Sequence, residues 1–181
     1  RPLGRGGMGD VFVAVQESLQ REVALKVVHE RFAGDASFVA RLEREARAAA
    51  ALNHPNVVHV YDVGSADGRH FLSMEYMEGG NLEERLAREG RLDPDVVIRA
   101  LIDAARGLAY AEERSVLHCD IKPANLMLGA DGTIKVADLG LARREGDGEE
   151  GGERVFGTPH FISPEQARGE TLDARSDLSL I

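Results

Sequence analysis

The chain is poor in cysteine, has no tryptophan and lacks any long apolar run. Among 181 residues Cys119 is the sole cysteine, which excludes an internal disulfide framework and a zinc site built from several thiolates. A reducing, cytoplasmic setting is therefore expected. No stretch approaches the ~18 apolar residues of a membrane-spanning helix, and Arg1-Pro2-Leu3-Gly4 lacks the apolar centre of a signal peptide. No membrane segment is expected in this chain. Positive charge is also in deficit. The net charge is −9, and once the nine basic and nine acidic groups of residues 1–70 are set aside, residues 71–181 carry 13 basic against 22 acidic groups. Nucleic acid is not an expected partner for that surface. A merely solvated acidic face and a preference for basic partners both fit it. With 43% apolar and 29% charged residues, the chain has the composition of a folded globular protein, with room for one sizeable domain or two small ones.

The first thirty residues alternate in strand fashion. Val11, Val13 and Val15 share one face, Glu17-Ser18-Leu19-Gln20 reads as a turn, and Val23 to Val28 returns antiparallel. From Asp35, a suitable N-cap, to Leu52 the pattern is helical, and Asn53-His54-Pro55-Asn56 stops it. A strand pair, Val57 to Val63 and Phe71 to Met77, flanks the turn Ser65-Ala66-Asp67-Gly68. Glu78-Gly79-Gly80-Asn81 then reads as a hinge into Leu82 to Arg88. Asp93-Pro94 suits the N-cap and first position of a helix over Asp95 to Glu113. Leu126 to Leu128 and Thr133 to Ala137 predict a hairpin about Gly129-Ala130-Asp131-Gly132, and residues 143 to 154 read as a mobile loop. Strands with one helix, a glycine hinge and then mostly helix predict two lobes of different character, 1–77 and 78–181.

Three groups of residues suggest chemistry. Gly4-Arg5-Gly6-Gly7-Met8-Gly9 fits G-x-G-x-x-G, in which bare backbone N–H groups can approach phosphate oxygens. The strand-like Asp10-Val11-Phe12-Val13-Ala14-Val15 that follows excludes a dinucleotide-binding fold, which needs a helix there. Lys26 stands in the apolar strand Val23 to Val28, and Glu45 falls within the helical stripe Phe38, Leu42, Ala49 and Leu52. An ion pair between them would satisfy both, whereas a snorkelling Lys26 and a Glu45 at the stripe's edge would need none. The densest cluster is His118-Cys119-Asp120-Ile121-Lys122-Pro123-Ala124-Asn125, with Asp138-Leu139-Gly140 thirteen residues beyond it. Asp, Lys and Asn in one loop can orient a hydroxyl, neutralise a transferring phosphoryl group and bind a hard cation such as magnesium, while a second Asp bridges cation and phosphates. His118 reads as a buried hydrogen-bonding residue.

In this order, with Gly157-Thr158-Pro159 and Ser163-Pro164-Glu165 after them, these motifs resemble the serine/threonine protein kinase family, in particular its eukaryotic-like branch in bacteria. The resemblance implies an α+β, two-lobed kinase fold truncated at both ends, with a strand-rich N-lobe holding one long helix and a mainly helical C-lobe closing on magnesium-ATP. It implies that Gly4, Gly6 and Gly9 cover the phosphates and that Lys26 contacts them while pairing with Glu45. Asp120 would accept the proton of the substrate hydroxyl, Lys122 would support the transferring phosphate, and Asn125 and Asp138 would hold Mg²⁺. Val11, Ala24 and Met127 would sandwich the adenine, with Met74 as gatekeeper and the backbone of Glu75 to Met77 as its hydrogen-bonding edge. The implied activity is transfer of the γ-phosphate of ATP to Ser/Thr hydroxyls of protein substrates.

The pattern breaks at two places. Cys119 stands where the family usually has the arginine that grips a phosphorylated activation loop, and residues 141 to 157 contain no Ser, Thr or Tyr. The expectation is a kinase not switched by phosphorylation of that loop. The ends fall short of the family's full domain, so the chain is expected to be a catalytic-domain fragment with exposed apolar surface, within a longer protein that adds a membrane helix and sensor domain in some relatives. Two other functions compete with the kinase reading. One is a non-catalytic fragment that binds nucleotide or a partner. The other is a small-molecule phosphotransferase, which would share the loop Asp and Asn but not the Lys122-Pro123 or Gly157-Thr158-Pro159 features.

Overall fold

Period-2 alternation in the first 75 residues builds a five-stranded antiparallel sheet. A computed structural model describes residues 1–139 and 159–178. The loop expected over 143 to 154, Gly140, and Gly157-Thr158 lie outside the described residues. Among these, the chain divides into two compact units, Arg1–Asn53 with His59–Met77, and His54–Val58 with the remainder from Glu78.

The first unit contains β1 (Pro2–Arg5), β2 (Gly9–Gln16), β3 (Arg21–Val28), β4 (Val60–Ala66) and β5 (Arg69–Glu75), ordered β1-β2-β3-β5-β4. Between β3 and β4 stand a one-turn helix α1 (Glu30–Ala33) and the long helix α2 (Ala36–Ala50). Asp35 caps α2, its carboxylate accepting the N–H groups of Ser37 at 2.9 Å and Phe38 at 3.1 Å. The Ser37 hydroxyl, followed by those amides, holds the Asp35 carboxyl below the usual carboxylate range. Phe38, Leu42, Ala46 and Ala49 form the buried stripe of α2.

The second unit contains α3 (Leu82–Glu89), α4 (Pro94–Glu112), the hairpin β6 (Leu126–Leu128) with β7 (Ile134–Val136), and two short helices, α5 (Pro164–Arg168) and α6 (Ala174–Leu178). Asp93 caps α4 through the Asp95 N–H at 2.8 Å, with Pro94 in the first turn. Ala100, Ala104, Gly107, Leu108 and Ala111 make its buried face. Ile98 and Ile102 on its other side are exposed, as is Val97 in its first turn.

One strand differs from the sequence reading. Val57 and Val58 do not begin β4, which starts at Val60. Asn56 and Val58 instead bracket β7, with the Val136 N–H donating to the Asn56 carbonyl and the Val58 N–H to the Val136 carbonyl, both at 2.9 Å. Gly107 explains how α4 approaches this segment, because a Cβ there would sit 2.6 Å from the Asn56 carbonyl oxygen. Backbone groups that pair with β7 cannot also extend the sheet of the first unit.

Candidate active site

In the first unit the glycine motif forms the connection between β1 and β2. Arg5 lies opposite Asp10, and the Gly6 N–H closes the turn on the Gly9 carbonyl at 2.9 Å. The three motif glycines are not equivalent. A Cβ on Gly9 would lie 2.2 Å from the Val27 carbonyl oxygen, whereas one on Gly4 would meet nothing within 4 Å. Gly9 is therefore demanded by packing, and Gly4 is not. Cross-strand register pairs Val11 with Lys26 and Lys26 with Leu72, and pairs Val13 with Ala24 and Ala24 with Met74. Directly opposite residues share a face, so Val11, Ala24, Lys26 and Met74 lie on one side of the sheet. Ala24, Met74 and Met77 are buried. The Glu75 N–H donates to the His59 carbonyl at 2.9 Å, so that amide is already engaged within the unit. Glu45 has a side chain only 15% exposed, and its carboxylate lies 3.8 Å from Arg41 Nε one turn earlier on α2.

In the second unit the loop between α4 and β6 is fixed at nearly every polar group. His118 is buried, as its motif suggests, and it links two strands of chain. Its Nδ1 accepts the Asp120 N–H at 3.2 Å, so Nε2 carries the proton that bonds the Ala137 carbonyl at 2.8 Å. Asn125 donates Nδ2 to the Asp120 carbonyl at 2.8 Å, and its own carbonyl accepts the Ala137 N–H at 2.8 Å. The Lys122 ammonium donates to Asp120 Oδ2 at 2.6 Å, with both side chains partly exposed. Asp138 takes a left-handed conformation, φ 58°, immediately after the Ala137 that His118 and Asn125 hold. Met127 is on β6, opposite Lys135. Thus Asp120, Lys122 and Asn125 form one hydrogen-bonded group, and Asp138 is tied to it through its neighbour.

Two residues that sequence reasoning did not assign complete the loop. Asp177 of α6, 4% exposed, accepts the N–H groups of His118 at 2.7 Å and Cys119 at 2.6 Å, one on each carboxylate oxygen. Between these bonds Cys119 is held at φ 61°, a region that side chains disfavour by roughly 1–2 kcal/mol. Gln166 of α5 donates Nε2 to the Cys119 carbonyl at 2.7 Å, while its Oε1 accepts the Ser163 N–H at 2.9 Å in a reciprocal cap. The spacing Ser163-Pro164-Glu165-Gln166 signals that cap, but only the fold shows its reach to Cys119. Next to it, the Ser176 hydroxyl, then the backbone amide, hold the Glu165 carboxyl below its usual range.

The donor chemistry suits magnesium. With Nδ2 of Asn125 turned to the Asp120 carbonyl, its side-chain oxygen is the atom left to face a cation, and Asp138 adds a carboxylate. Two protein oxygens are the sparse set that Mg²⁺ accepts when phosphates and water supply the rest. Among the described residues no group of three or more His, Cys, Asp or Glu is gathered for a metal. Among them, too, no helix is long and apolar enough to cross a membrane.

The protein kinase domain family matches residues 1–179. The chain is 41% identical to serine/threonine-protein kinase PknB of Mycobacterium leprae over 97% of its length, and 44% identical to probable serine/threonine-protein kinase SCO3848 of Streptomyces coelicolor over 97%. It is 37% identical to serine/threonine-protein kinase PrkC of Bacillus subtilis over 98%. It spans only 29%, 27% and 28% of those three proteins, respectively.

Proposed function

The chain belongs to the protein kinase family, and from that premise we propose that it transfers the γ-phosphate of ATP to serine or threonine hydroxyls of protein substrates. The observation that carries this reading is the 2.6 Å contact between Lys122 Nζ and Asp120 Oδ2 in a loop whose backbone is held by Asp177, Gln166 and Asn125. Asp120 accepts the proton of the acceptor hydroxyl. Lys122 keeps that carboxylate oriented and sets positive charge where negative charge grows on the transferring group. Immobilising both before substrate arrives is what positioning catalysis requires.

Asn125 and Asp138 would hold Mg²⁺, which supplies charge neutralisation on the phosphates. We assign Gly4, Gly6, Gly9 and Lys26 to the phosphates, with Glu45 pairing with Lys26. Val11, Ala24, Met74, Glu75 and Met77 of the first unit, and Met127 of the second, are assigned to the base. The acidic balance of residues 71–181 favours basic protein substrates. We assign the reaction to the cytoplasm, where ATP is supplied. The test is transfer of labelled γ-phosphate from magnesium-ATP to the chain and to a basic test protein, with Asp138→Asn beside it. Label with the unmutated chain alone supports the reading. Equal label from both proteins, or none from a longer chain carrying the same domain, rejects it.

A further inference from the structure

The glycine-rich turn is not left to itself in this chain. The Arg31 guanidinium, from α1, donates Nη2 to the Gly7 carbonyl. Two residues earlier the His29 N–H donates to the Met8 carbonyl at 2.9 Å. Asp10, at the base of the turn, lies 3.4 Å from Arg5 Nε and 3.5 Å from His29 Nε2. The segment 29–31 therefore grips two successive carbonyls at the tip of the turn. Arg31 is itself braced, since its guanidinium sits 4.8 Å from the centroid of the Phe32 ring. Phe32 stacks on Phe38 of α2, with centroids 4.6 Å apart and planes 15° apart. Over Phe38 lies Arg41, 5.6 Å from the centroid, and Arg41 reaches Glu45. A continuous series of contacts, Gly7 to Arg31, Phe32, Phe38, Arg41 and Glu45, thus runs inside the first unit from the turn to the helix that carries Glu45.

We propose that Arg31 is a positioning residue for nucleotide binding: braced by the Phe32–Phe38 stack, it latches the glycine-rich turn to α2 and pre-orders the turn before nucleotide arrives. The physical reason lies in the glycines. Gly4, Gly6, Gly7 and Gly9 lose more conformational freedom on ordering than any other residue type, so a turn made of them binds weakly unless something else orders it first. In a trans peptide the N–H points opposite the carbonyl, so holding the Gly7 and Met8 carbonyls turns the N–H groups of Met8 and Gly9 the other way, toward the side assigned to the phosphates. This inference rests on the assignment of the turn to the phosphates.

The experiment compares the unmutated chain with Arg31→Ala, Arg31→Gln, Arg31→Lys and Phe32→Leu. It measures the Kd of magnesium-ATP, kcat and KM, and amide exchange across residues 6–9 without nucleotide. Loss of one solvent-exposed hydrogen bond predicts a Kd and KM about three- to tenfold higher in Arg31→Ala with kcat unchanged, and faster exchange of those amides. Arg31→Lys restores most of the loss, and Arg31→Ala with Phe32→Leu is no worse than Arg31→Ala alone. Unchanged affinity and exchange in Arg31→Ala overturn the latch. So does an Arg31→Gln variant that binds more weakly with exchange unchanged, since the arginine would then act by attracting phosphate directly. An unmutated chain that binds no nucleotide defeats the assigned function instead, and the exchange measurement still decides the latch.

Discussion

Replacing Asp177 by Asn is the sharpest probe of how the active-site loop is built. The Asp177 carboxylate is buried and accepts the amides of His118 and Cys119 at 2.7 and 2.6 Å. Asparagine keeps the shape but turns one acceptor into a donor, so one of those amides meets an N–H in place of an oxygen. Hydrogen bonds to a charged group contribute about 1.5–3 kcal/mol, and a buried amide left unsatisfied costs about 1–3 kcal/mol. The change should therefore cost the second unit roughly 3–5 kcal/mol, a large part of the ~5–15 kcal/mol that stabilises a typical protein. At ~2–4 °C per kcal/mol for a chain of this size, the melting temperature should fall by about 6–20 °C. Turnover should fall as well, because the Asp177 carboxylate holds the N–H of Cys119 at φ 61°, and Asp120 follows it directly. Adding Cys119→Gly should recover part of both losses, since glycine occupies that conformation without strain. Differential scanning calorimetry and single-turnover phosphate transfer give the two readouts. A variant with unchanged melting and turnover would refute the anchoring role of Asp177.

Asp120→Asn should lower turnover by roughly 10²–10⁴-fold while leaving nucleotide affinity nearly unchanged, as initial rates and direct binding would show. Gly9→Ala forces a carbon 2.2 Å from the Val27 carbonyl oxygen and should cost about 1–3 kcal/mol by denaturant melting, whereas Gly4→Ala should be tolerated. His54 stacks on Tyr110 at 4.9 Å, and its pKa is held below the usual value, first by desolvation and then by Arg114 and Arg106. The fold thus favours the neutral ring, whose contribution is full above the unfolded value near 6.5 and is lost as pH falls below it. The stability advantage over His54→Gln should therefore shrink between pH 7.5 and 5, and a constant difference would contradict the depressed pKa. Mass spectrometry of active protein should find no stoichiometric, activating phosphate between Asp138 and Glu165.

Much of this site was legible because its chemistry is local. The hairpin glycines, Lys26 on its strand, and the group from His118 to Asn125 are set by residues a few positions apart, and the fold places them as the spacing implies. The parts that escaped depend on distant partners. Helix α1 is four residues long, too short to show a period, so the hold of Arg31 and the preceding His29 on Gly7 and Met8 left no pattern to read. Val57 and Val58 carry strand-like side chains, yet the Asn56 carbonyl and Val58 N–H on either side of Val57 bond Val136 of β7, while the Val57 N–H turns back to the His54 carbonyl, and no local signal chooses between β4 and β7. Asp177 shows only as a carboxylate in a polar stretch, because its burial against two amides is a property of the assembled unit.

The union of residues 54–58 with β7 also sets a timetable for a chain emerging from the ribosome. Asn56 donates its side-chain amide to the Ile134 carbonyl 78 residues later, and Val58 waits on Val136. At a synthesis rate of ~5–20 residues per second, the partners of this segment are missing for roughly 4–16 s after it is made. During that interval the upstream strands can form their sheet, but the link through residues 54–58 has nowhere native to settle. A nascent chain is most open to protease or chaperone there, and pulse proteolysis of stalled chains should show cleavage near residue 56 vanish only once β7 has cleared the exit tunnel.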